Sequence, residues 1–199
     1  MKILVIDTAT EACSVALLND STQDAIFEIC PQQHSQRILP MIDELLSKHG
    51  LKVTDLDGLA YGRGPGSFTG VRIATGIIQG LALGADLPVV EVSTLAAMAQ
   101  QNYMQAGHKI SKVLIDARMQ EVYFGHYSIE NEDADAIARE LQPEAVLSPQ
   151  EAIAKFAQIS DDDKVVHNAE TVGIAGTGWD AHRDTLLAIC GSQAVRVLY

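Results

Sequence analysis

An α/β protein of two related lobes is what this sequence predicts, and three observations predict it. Apolar runs near the N-terminus are of strand length and separated by short polar turns, as in hairpins. Further along, strand-length runs alternate with helical periods. The second half then echoes the first. Lys2 to Asp7 (KILVID) reads as a buried strand and Ser14 to Leu18 as a second, joined by the polar turn Thr8-Ala9-Thr10-Glu11; Ala25 to Ile29 is a third. His34 to His49 has helical spacing, with Ile38, Ile42, Leu45 and Leu46 on one broad face and Gly50 as a stop signal.

Leu56 to Tyr61 is apolar enough for a short strand, and a helix follows from about Ser67 to Gly84. Pro88 to Val92 is a strand, and Ser93 opens a helix to about Gln105. The lobe boundary is expected at Gln105 to Lys109, giving lobes 1–108 and 109–199, each a mixed sheet with flanking helices. Beyond it, Lys112 to Ile115 and Glu121 to Ile129 read as strands, and Glu130 to Asp135 as an acidic loop. Ser148, Pro149 and Glu151 form a helix start signal. Lys164 to His167 reads as a strand, Gly173 to Gly178 as a glycine-rich turn, and Arg183 to Ile189 as a last helix.

The net charge is −12, from 14 basic and 26 acidic residues, and the surplus is acidic on both sides of His108. A protein gripping phosphates unaided carries a basic patch, so direct nucleic-acid binding is disfavoured. Cys13, Cys30 and Cys190 are odd in number and far apart, which suits reduced thiols in a cytosolic protein. The N-terminal apolar run is too short for a signal sequence, and the longest uncharged stretch, Ile73 to Ala85, is too short to span a bilayer. The chain therefore reads as cytoplasmic, with no membrane partner.

The densest local signal is Tyr61 to Arg72, YGRGPGSFTGVR. A strand, a glycine-rich turn and a helix N-terminus together can cradle an anion. The pattern lacks the lysine of a phosphate loop and fits no GxGxxG register. In the following helix, Gly76, Gly80 and Gly84 recur at four-residue spacing. That stripe serves either tight packing on the helix's own sheet or a helix–helix contact with a partner. Asp7 ends an apolar strand, where sites collect; a ligand role and hydrogen bonding to its own turn are both open. The six histidines form no HxxxH pair, GxSxG is absent, and no Cys has a nearby His that the sequence can vouch for. No catalytic or metal-binding residue is assigned.

Ile3 to Leu17 (ILVIDTATEACSVAL) and Gly62 to Ala82 (GRGPGSFTGVRIATGIIQGLA) resemble the hallmark segments of the TsaB (YeaZ) family, and Asp116 to Tyr127 and Ala175 to Trp179 resemble its later motifs. The resemblance implies an actin-like ATPase (ASKHA) fold and a non-catalytic role in the bacterial tRNA N6-threonylcarbamoyladenosine (t6A) pathway. It implies partners: the paralogue TsaD, which holds the metal and transfers the group, and the ATPase TsaE, with tRNA met only through the complex. Pairing is through the first two helices, which also form homodimers. That puts Ile38, Ile42, Leu45, Leu46, Val71, Thr75, Gly76, Ile78 and Gly80 at the partner surface. No intrinsic cofactor is implied, only weak ATP or ADP binding at the partner interface, with Asp7, Thr8, Thr10, Arg63, Gly64 and Gly66 as the anion contacts. Two alternatives share the superfamily: an ATP-dependent phosphotransferase, and a metallo-glycopeptidase. Family members usually continue past this C-terminus, so the second lobe reads as cut short.

Overall fold

The structure is a computed structural model that describes residues 1–131, 135–155, 172–182 and 197–198. The chain divides into two compact units, Met1–Thr94 and Leu95–Tyr199. In the first, β1 (Lys2–Asp7), β2 (Ala12–Asn19) and β3 (Thr22–Ile29) form antiparallel hairpins. Next come α1 (His34–Lys48), β4 (Gly58–Gly62), α2 (Phe68–Ala85) and β5 (Val89–Val92). β4 runs parallel to β1, and β5 to β4, so the sheet order is β3-β2-β1-β4-β5.

Residue alternation decides which face is covered. Leu4 and Ile6 on β1, with Cys13, Val15 and Leu17 on β2, turn every second side chain to one side. There they meet Ile38, Met41, Ile42, Leu45 and Leu46 of α1 and Ala74 and Ile78 of α2 in one core. The far end of α1 is tied to β3 by Asp24, whose carboxylate accepts from Lys48 Nζ (2.6 Å) and His49 Nε2 (2.8 Å). Those hydrogen bonds, Lys48's first, hold the Asp24 carboxyl down at about 2.

The second unit contains most of α3 (Thr94–Ala106), then β6 (Ile110–Arg118), β7 (Glu121–Glu130) and β8 (Ile137–Leu147). After these come α4, described over 149–155, then β9 (Val172–Ala175), α5 (Gly178–Ala181) and β10 (Val197–Leu198). Its sheet order is β8-β7-β6-β9-β10, with β6–β8 antiparallel and β9 and β10 parallel additions. Numbered from each unit's own start, both sheets read 3-2-1-4-5. Here helices cover both faces: Leu95 and Ala99 of α3 pack on Val113, Ile115 and Tyr127, while Ala152, Ile153 and Trp179 pack on Leu114, Val122 and Phe124. β6 is accordingly buried without alternation from Ile110 to Ile115. α4 starts at the expected capping box, with Ser148 N donating to Glu151 Oε2 (2.9 Å) and Glu151 N to Ser148 Oγ (3.2 Å).

Three differences from the sequence reading have physical causes. The unit division falls at the start of α3, not at Gln105–Lys109, because Leu95 and Ala99 belong to the second core. β8 was not expected, because Pro143 and three charges interrupt its pattern. It is the end strand of its sheet among the described residues, and its pairing to β7 shifts register around Gln142, where a proline is tolerated. The Gly173–Gly178 turn is shorter than expected, since β9 takes residues up to Ala175. The strand at Lys164–His167, the helix at Arg183–Ile189 and part of the acidic loop lie outside the described residues.

Candidate functional site: a glycine clasp and an open helix

The glycine-rich turn between β4 and α2 is folded down on the β1–β2 loop. Ser67 N–H donates to Ala9 O (2.7 Å), and the Thr8 hydroxyl, fully buried, donates to Gly70 O (2.7 Å). The glycines make this approach feasible: a Cβ at Gly66 would run into Ala9 O, and one at Gly70 into Thr8 O. On the other side Arg63 N–H donates to Val92 O (2.9 Å), and Gly64 O accepts from Thr94 N–H (2.9 Å). Gly64 itself has φ +87°, which favours glycine. At the start of α2, Gly70 N–H points to Ser67 Oγ (3.4 Å) and Val71 N–H to Ser67 O (2.9 Å). Four of the backbone donors around the turn, those of Arg63, Ser67, Gly70 and Val71, are thus committed to acceptors of the protein itself.

Asp7 lies under this clasp, its carboxylate against the Cα of Gly62, where any Cβ would overlap it. Its Oδ1 accepts from Ala9 N–H (2.7 Å). Burial pushes the Asp7 carboxyl above its ordinary value, and the Ala9 hydrogen bond offsets only part of that. The folded state thus holds this proton more tightly than the unfolded chain, so ionising Asp7 lowers stability as pH rises through the raised value. Asp7→Asn keeps an acceptor for Ala9 and removes the charge. Its Tm should exceed that of the parent at pH 7, with the gap closing once pH falls below the ordinary 3.8. Equal melting at pH 7 would remove the buried-carboxylate account. Thr10 is exposed, its Oγ1 accepting from Ala12 N–H (3.1 Å), and Arg63 is exposed at the turn.

The second unit repeats this device in open form. Asp116, near the end of β6 where its pairing to β7 shifts register, accepts from Arg118 N–H (3.0 Å), the same two-residue step as Asp7 to Ala9. Its own N–H points to Thr177 Oγ1 (3.4 Å), and His182 Nε2 stands 3.8 Å from its Oδ1. The tip beyond it, Arg118-Met119-Gln120, has three successive positive φ angles. Among the described residues, no three His, Cys, Asp or Glu side chains gather as metal ligands would.

The expected partner surface divides sharply. Ile38, Ile42, Leu45, Leu46 and Ile78 are at most 4% exposed and form the core of their own unit, so they are not a docking face. Apolar periodicity marks a buried helix face without saying what buries it. Val71 and Thr75 are half-buried, with the Thr75 hydroxyl turned back to Val71 O (2.8 Å). Gly76 and Gly80 are exposed, and a Cβ on either, or on Gly84, would meet nothing within 4 Å. The stripe therefore does not serve packing on its own sheet. Beside it stand Leu83, 88% exposed, and Phe68, over whose ring the Arg72 guanidinium lies at 3.6 Å. Sequence reasoning passed over Phe68, Arg72 and Leu83. Their signal is positional: with Ala74 and Ile78 turned inward, residues 72, 76, 80 and 83 fall on the opposite side. By length and composition α2 could cross a membrane (18 residues, mean hydropathy 1.2), although Gly70, Ala74 and Ile78 are buried.

Comparison with known proteins agrees with this architecture. A family model described as "TsaD: tRNA N6-adenosine threonylcarbamoyltransferase" matches residues 25–196. The chain is 50% identical over 184 residues to the tRNA threonylcarbamoyladenosine biosynthesis protein TsaB of Escherichia coli, covering 92% of this chain and 74% of that one. It is 47% identical over 188 residues to TsaB of Haemophilus influenzae, covering 92% and 74%. A solved structure, YeaZ from Pseudomonas aeruginosa, superposes with TM-score 0.77 at 38% identity, covering all of this chain and 83% of that one. Two mixed sheets of one order, each with an aspartate turn at or near the end of its first strand, define a protein of the actin-like (ASKHA) class. The chain belongs to the TsaB (YeaZ) family.

Proposed function

We propose that this chain is a non-catalytic subunit of the t6A modification machinery, docking on TsaD through α2 and activating it together with TsaE in the cytoplasm. The observation that carries the docking is the open glycine stripe: side-chain-free positions at Gly76 and Gly80 let a second helix approach closely. Exposed Leu83 and the Phe68–Arg72 stack give that contact apolar area beside the stripe. The same face closes on a second copy when TsaD is lacking. A net charge of −12 supports tRNA being held by partners. The committed donors of the glycine clasp support a structural turn, with ATP or ADP met only weakly at the partner surface.

The test is reconstitution of tRNA modification from purified TsaC, TsaD and TsaE, with and without this chain, reading t6A by mass spectrometry of nucleosides. Omitting the chain should drop t6A to background. Undiminished t6A without it would overturn the activating role, and t6A formed by this chain without TsaD would overturn the non-catalytic one.

A further inference from the structure

We propose that Cys13 and Cys30 form a reversible disulfide, which shifts the start of α1 when the protein meets a peroxide. Cys13 sits on β2 opposite Glu28, and Cys30 follows the last residue of β3, donating its N–H to Glu11 O (3.1 Å). Cys30 is thus two places along from the residue facing Cys13, so both side chains point to the same face as diagonal neighbours. Both belong to the core of the first unit, at 0% and 3% exposure, with the Cys30 thiol beside that of Cys13.

Diagonal neighbours stand about 7–8 Å apart at Cα, whereas a relaxed disulfide prefers about 5.5–6 Å. Closing the bridge must therefore draw Cys30 towards β2. Cys30 lies beyond the last ladder pair, so it is the partner that can give. Its carbonyl accepts from Gln33 N–H (3.0 Å), and Gln33 O accepts from Gln36 (2.9 Å) and Arg37 (3.0 Å), so the movement passes into the first turn of α1. A bridge closed away from its preferred geometry is more readily reduced, which makes it reversible.

The chemistry balances with hydrogen peroxide. One thiolate attacks a peroxide oxygen, the O–O bond breaks and a sulfenic acid forms. The departing hydroxide takes up the proton the thiol had released and becomes water. The second thiol attacks the sulfenic sulfur, the S–S bond forms, and a second water leaves. Burial pushes the Cys13 thiol up to about 12, so the reaction runs through local opening of the β3–α1 corner and lags behind an exposed thiol.

The full chain is treated with hydrogen peroxide, alkylated in denaturant and mapped without reduction, in parallel with amide exchange. A Cys13–Cys30 linked peptide is expected, reversed by glutathione, lost in Cys13→Ala and Cys30→Ala, and accompanied by faster exchange at 33–37. Two alkylated thiols, a sulfinic acid in place of a link, or a link to Cys190 would overturn the disulfide. A correct link with unchanged exchange at 33–37 would overturn its coupling to α1.

Discussion

Gly76→Arg combined with Gly80→Arg should leave the Met1–Thr94 unit folded while abolishing association with TsaD. Both positions face open space, so the new side chains displace nothing within the unit. Replacing glycine in an exposed helix interior gains about 0.7–1 kcal/mol per site in helix propensity, so Tm should hold or rise. What is lost is the close approach of a second helix, because two long cations now stand along the stripe. Circular dichroism melting and calorimetric titration with TsaD read the two halves separately. Wild-type affinity in the folded variant would dismiss α2 as the docking helix. Charges at Ile42 and Ile78 would not make the same test: both side chains are core, and a buried unpaired carboxylate there unfolds the unit whatever its partners do.

Gly70→Ala should be a severely damaging small change in the first unit. The added methyl would press on the Thr8 carbonyl, a backbone atom that cannot rotate away. Overpacking of this kind costs about 3 kcal/mol, and in a unit of this size each kcal/mol lowers Tm by roughly 4–8 °C. Thr8→Val, which leaves the turn's backbone alone and removes the hydroxyl bonded to Gly70 O, should cost about 1 kcal/mol. Melting curves of the two variants rank the effects. Should Gly70→Ala melt with the parent and lose only nucleotide affinity, the turn is a ligand cradle and the clasp reading fails.

The strands and helices up to Ala106 were legible because local signals agree there: β1 and β2 alternate, α1 stops near Gly50, and Ser67 caps α2. β8 was illegible because its charges and Pro143 are tolerated only by an end strand, a status that depends on pairing and not on composition. The stripe on α2 was visible, but its meaning was not. Spacing alone could not tell a backbone pressed on its own sheet from one left open, whereas the surroundings of Gly76 and Gly80 do. The apolar face of α1 failed in the opposite sense. Its Ile38, Ile42, Leu45 and Leu46 announce burial, and the burying surface proved to be the unit's own β-sheet. Asp7 is a middle case: a strand-end carboxylate was readable, but its approach to Gly62 joins residues far apart in the chain.

The paired aspartate turns give the two halves unequal mutational freedom. The aspartates occupy similar places in sheets of one order, yet half-buried Asp7 has its carboxylate pressed against Gly62 while the Asp116 side chain is 41% exposed. A saturation library should therefore accept many residues at 116 and very few at 7, where nearly every replacement must fit against Gly62. The same aspartate turn serves two uses, braced against a glycine in the first unit and left open at the surface in the second.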